Sequence, residues 1–155
     1  MPSISLDTRD RKILNALQNN GRMSNADLAE SIHLSPSSCL RRVKHLEQNQ
    51  VISGYRAILN PDAIGRSNCV FVHITLTSQS EDVLEEFETA VASCQDVREC
   101  HLMTGRADYI LRIHVADIAD YANIHKTQLS RLPNIATIQS SFILRTICKR
   151  DTYIL

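Results

Sequence analysis

The sequence predicts an α+β chain in two parts, a helical N-terminal unit followed by a mixed, β-rich one. Two observations carry this reading. The apolar period changes from that of helices to strict alternation near Cys69. Beyond that point the elements run strand, helix, strand, strand, helix, strand. A third observation concerns charge. The chain is neutral, with 17 Lys/Arg and 17 Asp/Glu, yet residues 1–60 hold eight basic against five acidic side chains, and residues 61–155 hold nine against twelve. A modest basic excess at the front suits a nucleic-acid partner without establishing one.

In the first part, Asp7 is placed to cap a helix whose Ile13, Leu14 and Leu17 share a face and which ends at "NNGR". Ser24 caps a short second helix, "NADLAESI", with Leu28, Ala29 and Ile32 inward. After a tight link at His33–Leu34 comes "LSPSSCLRRVKHLE" (Leu34 to Glu47). Ser35 is the expected N-cap, and Pro36 suits the first helical position, where no N–H is needed. Leu40, Val43 and Leu46, with Cys39 beside them, form one apolar face, while Ser38, Arg41, Arg42 and His45 point away from it. A short helix, a tight turn and a second helix with an exposed polar face make a helix-turn-helix. The basic, hydroxyl-rich face is either merely solvated or suited to DNA. Arginine pairs with guanine O6/N7 or clamps phosphates, and hydroxyls at a helix N-terminus suit backbone contacts. "VISGYRAIL" then reads as a β-hairpin or wing. The first unit is thus 1–60, and 61–68 is a linker within "NPDAIGRSN".

The second unit, 69–155, opens with "CVFVHITLT", which alternates as a strand. "SEDVLEEFETAVAS" is an amphipathic helix with Val83, Leu84, Phe87 and Val91 inward. "VRECHLM" and "YILRIHV" are two strands joined by "TGRAD", and therefore a hairpin. Asp117 caps a second helix in "DIADYANIHKTQLSRL", and "IATIQSSFILRTICK" supplies the last strand. The order βαββαβ is the ferredoxin-like split βαβ unit, whose four-stranded sheet carries helices on one face only. Self-association is the obvious way to cover the other face. In "TGRAD", Gly105 supplies a positive φ and Asp108 caps the loop. The same groups suit a small ligand: a carboxylate accepts from an α-ammonium, and exposed loop N–H groups hold a carboxylate.

Several classes are set aside. No apolar run approaches the ~20 residues that span a bilayer, and "MPSISLDTRD" lacks a signal-peptide core, so no membrane partner and a cytoplasmic location are expected. The five cysteines are odd in number and show no C-x-x-C, which favours free thiols over a disulfide framework or zinc site. Cys100 and His101 are adjacent on a strand and point to opposite faces, against joint metal ligation. His73, His114 and His125 read as structural or surface residues. No G-x-S-x-G, Walker-type loop or H-E-x-x-H occurs, so no catalytic residue, metal or cofactor is expected.

The stretch from Leu6 to Pro61, with "LSPSxCLxRVxxLE" and "GYxAxLNP" as its most specific parts, resembles the N-terminal domain of the leucine-responsive/asparagine regulator (Lrp/AsnC, feast/famine) family. The βαββαβ half, with "GRADY" in its hairpin, is similar to that family's effector and oligomerisation domain, so the likeness covers nearly the whole chain. The resemblance implies a one-component transcription regulator that binds double-stranded DNA. It also implies dimers formed through the C-terminal sheets, often assembled into octamers, and a response to an amino acid. Ser35, Ser37, Ser38, Arg41, Arg42 and Lys44 fall on the family's recognition helix, and with Asn25 and His45 they form the candidate DNA-binding set. Gly105 and Asp108 match the GxxD loop. With Met103, Arg106, Ile138 and Ser140 they form the candidate effector-binding set, in which Met103 and Ile138 favour an aliphatic or sulfur-containing side chain. Pro133-Asn134 stands where the family often has Pro-Gly, a mild departure because Asn also tolerates a left-handed turn. Two other readings share this layout: a ligand-independent architectural DNA-binding protein, and an enzyme resembling haem-pathway decarboxylases. The basic recognition helix and the GxxD loop stand against the enzyme.

Overall fold

The computed structural model describes residues 5–155. They form two compact units: the chain up to Ile58 together with Cys148–Leu155, and Leu59–Ile147.

The first unit begins with three helices, each started by a side-chain cap. In α1 (Thr8–Asn19), the Asp7 carboxylate accepts the N–H groups of Arg9 and Asp10, and the Asp10 carboxylate accepts the Asp7 N–H, a reciprocal capping box. Ser24 caps α2 (Asn25–Ser31), and Ser35 caps α3 (Pro36–Gln48) with Pro36 in its first turn. The ends of α2 and α3 share one solution. Leu34 N–H donates to Ala29 (2.9 Å) and His33 N–H to Glu30 (3.1 Å); Val51 N–H donates to Leu46 (2.9 Å) and Gln50 N–H to Glu47 (3.0 Å). Both are Schellman motifs, which satisfy the last carbonyls and require a left-handed residue at the turn. His33 (φ 56°) and Gln50 (φ 57°) occupy that conformation, which glycine adopts without steric cost.

Ile13, Leu14, Leu28, Ala29, Ile32, Cys39 and Leu46 make the buried core of this unit, with Val43 packed against it. Leu40, which the three-residue spacing placed in the same stripe, is 43% exposed. The spacing of Cys39, Val43 and Leu46 follows the helical period more closely and leaves Leu40 on the outer side. A second departure concerns Arg42. Its Nη1 donates to Asp7 Oδ2 (2.8 Å) and Asp10 Oδ1 (2.7 Å), clamping α3 to the capping box of α1. The expected hairpin in "VISGYRAIL" is also not formed: Gly54 to Asn60 has no strand partner among the described residues. After Gly54 the stretch "YRAIL" offers no second turn residue to reverse the chain.

The second unit contains β1 (Asn68–Leu76), α4 (Glu81–Ala92), β2 (Val97–Leu102), β3 (Tyr109–Val115), α5 (Ile118–Thr127) and β4 (Ile135–Phe142). The strands lie in the order β2-β3-β1-β4, antiparallel throughout. Val70, Val72 and Ile74 of β1 and Tyr109, Leu111 and Ile113 of β3 point to one side, packed against Phe87 and Val91 of α4 and Tyr121 and Ile124 of α5. Their alternates, including Phe71, His73, Ile110 and Arg112, lie on the face without helices and are only half-buried. Pairing of β1 with β4 shifts register at Thr75/Leu76. As a result Ile135 and Ile138, three residues apart, both reach the core side, where strict alternation would separate them. The last strand stops at Phe142 rather than continuing through "ILRTICK".

Two stability predictions follow from the first unit. Exchanging Gln50 or His33 for glycine removes a left-handed steric cost of about 1–2 kcal/mol and adds back about 0.5–1 kcal/mol of backbone entropy. Gln50→Gly and His33→Gly should each raise stability in urea by about 0.5–1 kcal/mol, and a loss in either would contradict the helix-end assignment. Arg42→Ala leaves the buried Asp10 carboxylate without its cation and should cost about 1–3 kcal/mol. The Asp10 N–H and Arg42 together hold the Asp7 carboxyl below its ordinary value. A depressed carboxyl contributes fully above its unfolded pKa of about 4 and loses that contribution as pH falls through the lowered folded value. The Asp7 part of the gap between wild type and Arg42→Ala should therefore be lost below pH ~4. A gap that widens in acid would contradict the clamp.

Candidate DNA-contacting helix and effector cleft

The outward side of α3 carries Ser37, Arg41 and Lys44 at helical spacing, all exposed, with His45 beside them and Ser38 half-buried. Arg41 and Lys44 have no ion-pair partner among the described residues. Leu40 lies on this side too, an apolar group of the kind that contacts a thymine methyl. It was missed because it was counted into the core.

Other residues of the sequence set position the helix rather than face outward. Ser35 Oγ accepts the Ser38 N–H and lies 3.3 Å from Ser37 Oγ. Asn25 Nδ2 donates to the Pro36 carbonyl (2.9 Å), bracketing the start of α2 to the start of α3. Arg42 is held by Asp7 and Asp10 as described, so its guanidinium is engaged within the unit. His45 Nδ1 lies 3.1 Å from Asn49 Nδ2, in the last turn.

In the second unit the β2–β3 hairpin closes with Met103 N–H donating to the Asp108 carbonyl (2.8 Å), and Gly105 takes φ 132° in its loop. Asp108 is engaged within the unit. It is 6% exposed, its Oδ2 accepts the Leu76 N–H (2.7 Å), and its Oδ1 accepts from Gln79 Nε2 (2.6 Å). Its own N–H donates to Ile74 (2.9 Å). The residue fastens the hairpin to the end of β1 and to the loop before α4. Ile138 and Ser140 also lie away from the hairpin loop. Register pairs them with Ile74 and Val72, on the helix side, where Ile138 packs on the core and Ser140 hydrogen-bonds the Tyr121 hydroxyl.

The open side of β4 presents Thr137, Gln139 and Ser141 instead. With His73 and Thr75 of β1 and with Met103, Thr104, Arg106 and Ala107 of the hairpin they line a cleft of about 440 Å³. Alternation alone could have found these positions, had the register shift at Thr75/Leu76 not hidden which residues of β4 face inward. The chemistry suits a zwitterion. Arg106 supplies a cation for a carboxylate, hydroxyl and amide oxygens accept from an ammonium, and Met103 and Ala107 offer apolar surface.

All five cysteines are free, and burial pushes the Cys39, Cys69, Cys94 and Cys100 thiols up, Cys100 to about 11. Such thiols stay protonated and unreactive. Among the described residues no group of three or more His, Cys, Asp or Glu side chains is placed to hold a metal ion.

Comparison with known proteins bears on both halves. Residues 6–53 match the winged helix-turn-helix DNA-binding family model, and residues 69–153 match the Lrp/AsnC ligand binding domain. A leucine-responsive regulatory protein from Haemophilus influenzae is 42% identical over 151 residues, covering 97% of this chain and 91% of its own. One from Escherichia coli is 41% identical over 146 residues, covering 94% and 89%. Among solved structures, a transcriptional regulator from Neisseria meningitidis in complex with L-Met superposes with a TM-score of 0.90 at 33% identity, covering 96% of both chains. A feast or famine regulatory protein from M. tuberculosis complexed with L-methionine gives 0.82 at 29%, covering 97% of this chain and all of the other. These relatives are named as regulators, and the outward α3 stripe and the one-sided sheet fall within the two matched stretches of this chain. The chain belongs to the Lrp/AsnC family of DNA-binding transcription regulators, with a helix-turn-helix unit followed by the family's ligand-binding domain.

Proposed function

We propose that the chain reads double-stranded DNA with Ser37, Leu40, Arg41 and Lys44 of α3, and adjusts that binding to an amino acid held in the open-face cleft. The observation that carries the proposal is the cleft itself. It joins one cation, several neutral acceptors and the apolar surface of Met103 and Ala107 on the hairpin. Met103 and Ala107 favour an aliphatic or sulfur-containing side chain, in keeping with the L-methionine bound by two of the similar proteins. The chain acts in the cytoplasm as at least a homodimer, assembling further towards an octamer. A second copy covers the open sheet face, where Phe71 and Ile110 lie half-buried among polar neighbours. Two-fold symmetry then sets two α3 helices against half-sites about one helical turn apart or a multiple of it.

On DNA, Arg41→Ala should weaken operator binding by about 1–3 kcal/mol if the contact is to a base, with no loss of fold stability. Lys44→Ala should flatten the salt dependence by about one phosphate contact. Operator titrations at several salt concentrations check both, and unchanged affinity in the double variant would remove α3 from the interface. On the effector, L-methionine at a hundred times its Kd should stabilise the protein by about 2.7 kcal/mol in a thermal-shift measurement. Arg106→Ala and Gln139→Ala should each diminish that shift. A wild type unmoved by any of the common amino acids would favour the ligand-independent architectural reading. Light scattering should find no monomer at micromolar concentration.

A further inference from the structure

Residues Cys148–Leu155 group with the helix-turn-helix unit, although they follow in sequence the last strand of the other one. β4 ends at Phe142, Ile143 still donates its N–H to the Cys69 carbonyl (3.0 Å), and from Leu144 onward no strand pairing remains. The chain is next held at α1. There Gln18 grips the main chain of Tyr153 twice: its Nε2 donates to the Tyr153 carbonyl (3.2 Å), and its Oε1 accepts the Tyr153 N–H (2.7 Å). A primary amide sets one donor and one acceptor side by side, the complement of a residue's own N–H and C=O. One turn earlier, Asn15 Nδ2 lies 3.5 Å from the Leu155 carbonyl. The grip on Tyr153 is through its backbone, since Tyr153 is 80% exposed and Ile154 is fully exposed, while Leu155 is 38% exposed.

The two ends of this connection matter. Upstream, the chain is continuous with β4, whose Thr137, Gln139 and Ser141 line the cleft. Downstream, the tail sits on α1, whose capping box holds Arg42 of α3. The linker after Ile58 is one covalent link between the units, and this tail is a second. Solvent-exposed hydrogen bonds are weak in net terms, within the range that a ligand's differential affinity can shift. We infer that the Gln18–Tyr153 contact is a coupling latch through which occupancy of the effector cleft changes operator binding. Gln18 is a positioning residue in this role and touches neither DNA nor amino acid. The inference rests on the amino-acid reading of the cleft given above.

The test uses the full chain with two variants. Gln18→Ala removes the grip, and Tyr153→Pro removes the N–H that Gln18 accepts, at an exposed position where proline's fixed φ and the lost side chain disturb no buried contact. Three quantities are measured for each: L-methionine affinity by calorimetry, operator affinity without amino acid, and operator affinity at saturating L-methionine. If L-methionine does not bind, the other common amino acids replace it. The latch predicts that the first two stay within about threefold of wild type. The effector-dependent change in operator affinity should fall from about fivefold or more to near none. Amide hydrogen exchange at Tyr153 should also be faster in Gln18→Ala. Variants that bind the amino acid and respond as wild type does would overturn the latch alone. A wild type that binds no amino acid would overturn the functional reading beneath it, and the latch with it.

Discussion

Covering a four-stranded sheet with helices on one side only is the constraint on which the second unit depends. Strand alternation then divides every strand into a row that must be apolar and a row that need not be. Val70, Val72, Ile74, Leu111 and Ile113 fill the first row and are fully buried. The second row is released from packing and carries His73, Thr75, Arg112, Gln139 and Ser141. Such a row can bind a small polar molecule and meet another protein surface. Asp108 serves both rows indirectly. By accepting from Leu76 and Gln79 it pins the hairpin end to β1 and leaves Thr104, Arg106 and Ala107 on the open side.

The first unit divides its charges in a similar way. Arg41 and Arg42 are neighbours in sequence, yet helical rotation sends one outward and the other to Asp7 and Asp10. A buried carboxylate without its cation is costly, so Arg42 is constrained by the fold while Arg41 remains available to a partner. Matched Schellman ends then set the path of the chain on both sides of α3. The outward side of α3 is thus oriented by groups engaged within the unit: Asn25, Ser35, Arg42, His33 and Gln50.

What was legible in the sequence depended on local rules. Asp7, Ser24, Ser35 and Asp117 cap the helices they were expected to cap, because a cap involves only its own first turn. The alternation of β1 and β3 likewise showed the core side directly. What the sequence did not show turns on distant or shifted partners. Arg42 meets carboxylates 35 and 32 residues away. Asp108 reads as a turn residue until Gln79, 29 residues earlier, captures it. Ile138 and Ser140 face the helix side because a bulge in the β1–β4 pairing reverses the parity that a regular strand would keep. The docking of the tail on α1 left no sequence signal, since Gln18 recognises backbone and places no demand on the side chain it holds.

An amino acid held in the cleft would touch the open side of the sheet and not its helix-covered side. Backbone amide chemical shifts of the full chain, followed during titration with the amino acid that binds it most tightly, test this directly. The account predicts perturbations centred on Thr75, on Met103 to Ala107 and on Thr137 to Ser141. Perturbations confined to α4 and α5, or absent from the hairpin at saturation, would contradict it.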